Sequence, residues 1–157
     1  MKTCLVLEGG AMRGMYTAGA LDVFYNAGIK FDGIIGVSAG AAFGVNYLSG
    51  QPGRVIRYNK RFNADRHYMG LIPLLKTGNI VDTEYAYEKV PRELDPFDGD
   101  TFDASGVPFW AVVTNVETGQ PEYIRLEHAM AQMDVIRASA SMPFAVSYTH
   151  LTLPTIA

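Results

Sequence analysis

Short apolar runs alternate with helical spacing along the first 50 residues. Residues 3–7 are nearly all apolar, which is typical of a parallel strand covered on both faces. Apolar positions between Ala20 and Ala27 then recur at helical spacing, and Gly28 ends that helix. Residues 31–37 predict the second strand, and the small residues 41–45 open the next helix. This order predicts an α/β fold whose sheet contains parallel strands and is flanked by helices.

The middle of the chain carries a weaker pattern. Residues 53–64 predict a basic helix, and residues 65–81 predict an irregular loop with a short apolar patch. Asp82 is placed to cap a helix that runs to about Val90. Residues 91–106 are turn-rich and acidic, which indicates a surface excursion.

The last third returns to clear periodicity. Residues 109–114 and 121–126 predict two more strands around a turn, and apolar spacing from Ala129 to Ala140 predicts a final helix. No repeat or second boundary interrupts the chain, so a single domain is expected.

Composition narrows the possible partners. The 157 residues carry a net charge of −3, which gives no reason to expect nucleic-acid binding. The single cysteine, Cys4, excludes an internal disulfide framework and a multi-cysteine metal site, and its apolar neighbours predict that it is buried. Glu8 interrupts the first apolar run, so no secretion signal is predicted and a cytoplasmic location is expected. No metal or cofactor is expected.

The predicted basic helix has two interpretations. Its cations could meet lipid phosphates and give peripheral membrane contact, or they could form an ordinary solvated face. These cations are Arg54, Arg57, Lys60 and Arg61.

The segment that carries chemistry is Gly36-Val37-Ser38-Ala39-Gly40. It matches the G-x-S-x-G nucleophile elbow and lies between a predicted strand and a predicted helix, which is the context that this motif requires. Gly36 and Gly40 permit the sharp turn, and the helix points its amides and the positive end of its dipole at Ser38. The simpler alternative is a packing turn in which Ser38 only caps the helix.

The glycine loop at residues 9–14 has three interpretations. A phosphate-binding P-loop fails, because Met15 and Tyr16 stand where Lys and Ser or Thr are required. A dinucleotide fingerprint is a degraded match, with Ala11 where the backbone must approach pyrophosphate. The third interpretation uses the neighbouring strand, because loops after adjacent parallel strands share one edge of the sheet. The amides of residues 9–11 would then form an oxyanion hole for an ester attacked by Ser38.

A Ser-Asp-His triad is not favoured. His128 could serve as the base, with Asp95, Asp98, Asp100 or Asp103 as its acidic partner. In α/β-hydrolases, however, the elbow follows several strands, whereas Ser38 follows the second. His128 also opens a predicted helix, where a solvated or capping histidine is more common.

Three segments taken together resemble the patatin-like phospholipases. They are residues 9–14, residues 36–40 and the run Arg137-Ala138-Ser139-Ala140-Ser141-Met142-Pro143, and residues 49–54 extend the likeness to bacterial members. The resemblance implies a lipid acyl hydrolase with a Ser-Asp dyad. It makes Ser38 the nucleophile, Gly9, Gly10 and Ala11 the oxyanion loop, and Arg13 with Gly14 the support of that loop.

The sequence departs from the family pattern in two places. Ala11 stands where many members have a third glycine, although an amide remains available there. The general-base Asp of the family lies in an Asp-Gly-Gly or Asp-Gly-Ala turn after the segment matching residues 139–143, and no such tripeptide occurs here. The dyad is therefore expected to be incomplete and the chain weakly active or inactive.

The end of the chain suggests a reason. Residues 146–151 resemble the translation of a transposon end used in library preparation, so residues 146–157 are predicted to be a non-native tail after a domain at residues 1–145. The sheet is then expected to be incomplete at its C-terminal side. The competing function is a non-catalytic nucleotide- or lipid-binding module that uses the glycine loop.

Overall fold

A four-stranded sheet forms the centre of the molecule. The computed structural model describes residues 2–142 and 145–146. In the order in which they lie across the sheet, the strands are β1 (Cys4–Leu7), β2 (Gly33–Val37), β3 (Phe109–Thr114) and β4 (Pro121–Leu126). The first three are parallel and β4 is antiparallel to β3. The predicted α/β fold with a parallel-containing sheet is confirmed.

Six α-helices accompany the sheet in the described residues. They are α1 (Gly14–Asn26), α2 (Ala39–Leu48), α3 (Arg54–Phe62), α4 (Leu71–Thr77), α5 (Gly99–Ala104) and α6 (Met133–Ser139), with a 3-10 turn at Ala11–Arg13 and a π-helix at Tyr85–Leu94. None of them is both long and apolar enough to cross a bilayer.

Helix α2 is the central helix. Nine of its ten residues are buried, because it packs against the sheet and against α1. Small residues make this possible: a Cβ at Gly44 would lie 2.5 Å from the Leu7 side chain. Ile34 and Phe109, both fully buried, belong to the same core. The N-terminus of α2 is therefore fixed relative to β1 and β2.

Strand β1 departs from the expectation of cover on both faces. Cys4 is exposed rather than buried, and Val6 is 63% exposed, while Leu7 points into the core. Within the described residues β1 is an edge strand, and its exposed residues Cys4 and Val6 alternate with Leu5 and buried Leu7. An all-apolar run of four residues cannot reveal by its pattern that one face is open.

Two predicted irregular segments contain helices. The predicted loop at residues 65–81 contains α4, in which buried Pro73 occupies the first turn, where proline is tolerated. The predicted surface excursion begins inside the π-helix, which continues through Pro91, and α5 buries Phe102. Asp82 does accept a hydrogen bond from the Tyr85 amide at 3.0 Å, as expected of a cap.

Most of the predicted tail lies outside the described residues, as does Pro143. Val146 is described and forms an antiparallel bridge with Met142. The boundary at residue 145, the non-native tail and the incomplete C-terminal side stay predictions.

Candidate functional site

Ser38 occupies a strained turn between β2 and α2. Its φ of 54° and ψ of −119° are unusual for a residue with a side chain. Its carbonyl accepts hydrogen bonds from the amides of Ala41 and Ala42, both at 3.0 Å, so the helix begins directly after the turn. The positive end of the α2 dipole therefore lies at Ser38.

The two glycines of the elbow are required by the closeness of the backbone. A Cβ at Gly36 would lie 2.7 Å from backbone atoms of Gly40 and Ala41. A Cβ at Gly40 would lie 2.3 Å from the carbonyl oxygen of Leu7, at the end of β1. No side chain fits at either position, so the first turn of α2 rests directly on β1 and β2.

Ser139 connects the elbow to β3. The Ser38 amide donates a hydrogen bond to the Ser139 hydroxyl oxygen at 2.8 Å, and that hydroxyl donates to the Val112 carbonyl at 2.6 Å. Ser139 belongs to the run at residues 137–143 that resembles the family, but the sequence alone predicted no role for it. Its contact with Ser38 spans 101 residues, so no local spacing could have revealed it.

The glycine loop meets Ser38 at the same edge of the sheet. A Cβ at Gly9 would lie 3.7 Å from Ser38 Oγ. Because this Cβ and the Gly9 amide nitrogen are each one bond from the Gly9 Cα, the nitrogen lies within about 7 Å of Ser38 Oγ. Gly10 and Ala11 line the cavity that contains Ser38. Ala11 has a φ of 46°, a left-handed conformation that favours glycine.

The two residues predicted to support this loop differ in their surroundings. The amide of Arg13 donates to the Gly10 carbonyl at 2.9 Å, which closes the turn, while the Arg13 side chain is exposed. Gly14 is buried where α1 meets α2, and a Cβ there would lie 2.8 Å from the Ala39 side chain. Gly14 thus allows the helix after the loop to approach the start of α2.

Ser38 lies in the wall of a cavity of about 640 Å³. Its lining includes aliphatic side chains, methionines and three tyrosines that the sequence did not single out, namely Tyr58, Tyr68 and Tyr87. A tyrosine in a helical pattern is usually an ordinary core residue, so the pattern offers no reason to choose these three. Only the tertiary structure brings them together.

Within the described residues, no Asp, Glu or His lines this cavity. Burial raises the pKa of Tyr58, Tyr68 and Tyr87, so all three phenols stay protonated near neutral pH and cannot accept a proton from Ser38. Burial also lowers the pKa of Arg54, which lines the cavity too, but an arginine remains protonated near neutral pH.

Helix α3 does not present the predicted row of four cations. Arg54 is only 4% exposed and donates to Asn46 Oδ1 at 2.7 Å and to the carbonyl of Asp95. Arg57 donates two hydrogen bonds of 2.8 Å to the Asp95 carboxylate. Both interpretations, lipid contact and a solvated face, are wrong for Arg54, because its guanidinium is part of a buried polar cluster. Lys60 and Arg61 are exposed.

His128 forms an ion pair far from Ser38. Its Nδ1 lies 2.7 Å from Asp103 Oδ2. His128 follows Leu126, which pairs with Phe109 at the start of β3, whereas Ser38 follows Val37, which pairs with Val112. Phe109 and Val112 are three residues apart along β3, which is about 10 Å. The pair is thus at the opposite edge of the sheet from the elbow.

Comparison with known proteins places the chain in a family. The model of the patatin-like phospholipase family matches residues 5–154, and the chain belongs to that family.

One relative is the uncharacterized protein YjjU of Escherichia coli strain K12, to which the chain is 33% identical over 147 residues. The alignment covers 90% of this chain and 40% of YjjU, so the chain spans about two fifths of the length of that relative.

Proposed function

We propose that the chain is the part of a serine lipid acyl hydrolase that carries the nucleophile and the oxyanion hole. The observation that supports this most strongly is Ser38, which is held at a positive φ at the start of α2, beside Gly9 and in the wall of a large cavity. Positive φ at an elbow exposes the hydroxyl, and the aliphatic lining suits the acyl chain of a lipid ester.

In the proposed reaction, Ser38 Oγ attacks the ester carbonyl carbon as its proton passes to a general base. The carbonyl π electrons move to the oxygen, where the amides of Gly9, Gly10 and Ala11 stabilise the negative charge. The ester C–O bond then breaks, the alcohol leaves with the proton, and water hydrolyses the acyl-enzyme. Each oxyanion donor of this kind contributes about 3–4 kcal/mol.

The base is proposed to be an aspartate that is not among these 157 residues. Two observations support this. The described lining of the cavity has no acid or histidine. The patatin-like pattern has its Asp in an Asp-Gly-Gly or Asp-Gly-Ala turn, and this sequence contains neither tripeptide. General-base catalysis contributes about 10²–10⁴-fold, so the 157-residue chain is expected to be nearly inactive.

A fluorophosphonate probe and a p-nitrophenyl ester test this proposal. Ser38 is expected to be labelled slowly and to hydrolyse the ester barely above background. Both signals should vanish in Ser38→Ala and persist in the control Ser141→Ala, whose hydroxyl donates to the Arg137 carbonyl. A longer chain that includes the Asp-Gly turn should be faster by about 10²–10⁴-fold.

Two results would contradict the proposal. If the 157-residue chain turns over rapidly and Ser38→Ala stops it, the base is within the chain and the account of the dyad is wrong. If Ser38 is never labelled and the longer chain gains nothing, the alternative holds. That alternative, a lipid-binding module without chemistry, is favoured by the lack of an acid or base in the described lining and predicts saturable binding of a fluorescent fatty acid.

A further inference from the structure

Helix α4 exposes large apolar side chains on its outer face. Leu71 is 74% exposed, Ile72 45% and Leu75 87%, whereas Pro73 points inward and is fully buried. At 100° per residue, Leu71, Leu75, Ile72 and Lys76 follow one another around one side of the helix. A contiguous apolar patch of this kind, next to a cation, indicates contact with something other than water.

The base of this helix is pinned beside the cavity of Ser38. The Gly70 amide donates to the Ile80 carbonyl at 2.9 Å, and the Asp82 amide donates to the Tyr68 carbonyl at 3.0 Å. Met69 and Val81 form an antiparallel bridge between these bonds. Tyr68, Met69, Ile80 and Val81 also line the cavity. The residues that close the α4 loop thus belong to the cavity wall.

The sequence segment that contains α4 has a net charge opposite in sign to that of the whole chain. Residues 60–80 contain four cationic residues, Lys60, Arg61, Arg66 and Lys76, and one acidic residue, Asp65, which gives this segment a net charge of +3. The whole chain carries −3, so the remainder carries −6. All four cationic side chains are exposed. An exposed apolar face that has Lys76 beside it, on a segment with excess positive charge, is complementary to an anionic lipid surface.

We propose that α4 docks the protein on anionic membranes, with Leu71, Ile72 and Leu75 inserted among the lipids and Lys76 at the headgroups. The docking itself does not depend on the proposed function. Its consequence, that lipid passes from the bilayer into the cavity beside α4, rests on the proposed function. The docking element is thus α4 and not the α3 row, of which Arg54 is buried and Arg57 is bound to Asp95.

Cosedimentation with vesicles tests the docking surface, with the Ser38→Ala chain used so that hydrolysis plays no part. Binding is expected to vesicles of equimolar phosphatidylglycerol and phosphatidylcholine, to be weaker on phosphatidylcholine alone, and to fall as salt is added. The variant Leu71→Ser/Leu75→Ser should bind about tenfold more weakly or worse. Its matched control removes two exposed apolar side chains elsewhere, Val23→Ser/Val116→Ser, and should bind like the parent chain.

Charge and insertion have separate readouts. Lys76→Ala should weaken binding about fivefold, as expected for one cation at an anionic surface, while Lys30→Ala, an exposed lysine in the loop before β2, should change it little. In Leu75→Trp the added fluorophore should shift to shorter wavelength on anionic vesicles, whereas Val116→Trp should not.

The proposal is overturned if Leu71→Ser/Leu75→Ser and the control Val23→Ser/Val116→Ser lose vesicle binding equally. It is also overturned if the parent chain binds anionic and neutral vesicles equally well. Sedimentation velocity without vesicles tests whether a second copy of the chain, rather than lipid, covers α4. A dimer that Leu71→Ser/Leu75→Ser dissociates would assign α4 to a second copy of the chain and overturn the lipid proposal. Probe labelling of Ser38 with a soluble fluorophosphonate is measured in parallel, so failure of docking and failure of the proposed chemistry are distinguishable.

Discussion

At the scale of single residues, Ser38 shows how a strained conformation is maintained. A non-glycine residue at positive φ costs on the order of 1–3 kcal/mol and persists only where its surroundings determine it. Here the Ser38 carbonyl begins α2, and its amide is bound by Ser139. The Ser38 carbonyl is thus fixed by α2 and the Ser38 amide by Ser139 of α6. These two contacts hold the backbone of Ser38, and the turn then sets the direction of its side chain.

Ser139→Ala is expected to act on Ser38 through that amide. It removes the acceptor of the Ser38 amide and the donor to the Val112 carbonyl, so the free energy of unfolding should fall by about 1–3 kcal/mol in urea denaturation. The rate at which a fluorophosphonate labels Ser38 should fall too, measured well below the melting temperature.

The control for this variant is Ser141→Ala, which removes an exposed hydroxyl two positions along. It should leave both readouts near those of the parent chain. If Ser139→Ala loses stability but labels at the parental rate, Ser139 is structural only and does not position Ser38.

At the scale of elements, a buried polar cluster joins α3 to the segment after the π-helix. Asp95 is 6% exposed and accepts from Arg57, while its carboxylate also lies 3.3 Å from Arg54 Nε. The Arg54 guanidinium lies over the rings of Tyr58 and Phe97, at 5.3 and 5.5 Å from their centroids. The cluster fixes the side of the cavity that Arg54 and Tyr58 line.

Asp95→Ala is expected to destabilise the protein by about 3 kcal/mol, because removing one partner leaves the buried Arg54 charge without its carboxylate. Urea denaturation measures the change. Glu88→Ala, which removes the exposed i,i+4 partner of Arg92, should cost no more than about 0.5 kcal/mol. Similar losses in the two variants would show that Asp95 behaves as a surface ion pair.

The sequence predicted the elements whose signals are local. The strands predicted at residues 31–37 and 109–114, observed as β2 and β3, and the elbow at Ser38 follow from apolar runs and glycine spacing within a few residues. Helix α4 was missed because its apolar run is short and contains a proline, and the π-helix was ended too early because Pro91 is a common stop signal.

The remaining site features depend on contacts that no local pattern encodes. Both interpretations of the basic helix placed Arg54 on an exposed face, but its partner Asp95 is 41 residues away in sequence. Ser139 is 101 residues from Ser38. The tyrosines of the cavity come from three separate segments. Sequence spacing shows which residues can share a strand or a helix face, and it does not show which faces meet.

At the scale of the whole molecule, the sheet separates two groups of polar residues. Ser38 and the glycine loop lie where the parallel strands end, and the His128–Asp103 pair lies where β3 begins. Asp103 raises the pKa of His128 through its hydrogen bond and its charge. The pair is exposed, so it is a surface feature of the far edge and not a partner of the elbow.

His128→Gln should therefore leave the labelling of Ser38 unchanged and alter only the pH dependence of stability. The pKa of His128 is raised above its ordinary 6.5 in the folded chain, so the pair stabilises the fold fully below that value. This stabilisation is lost as pH rises through the folded pKa. Urea midpoints of the parent chain should exceed those of His128→Gln at acidic pH, and the gap should close above neutrality. Slower labelling of Ser38 in His128→Gln would mean that the histidine reaches the serine, which the strand register excludes.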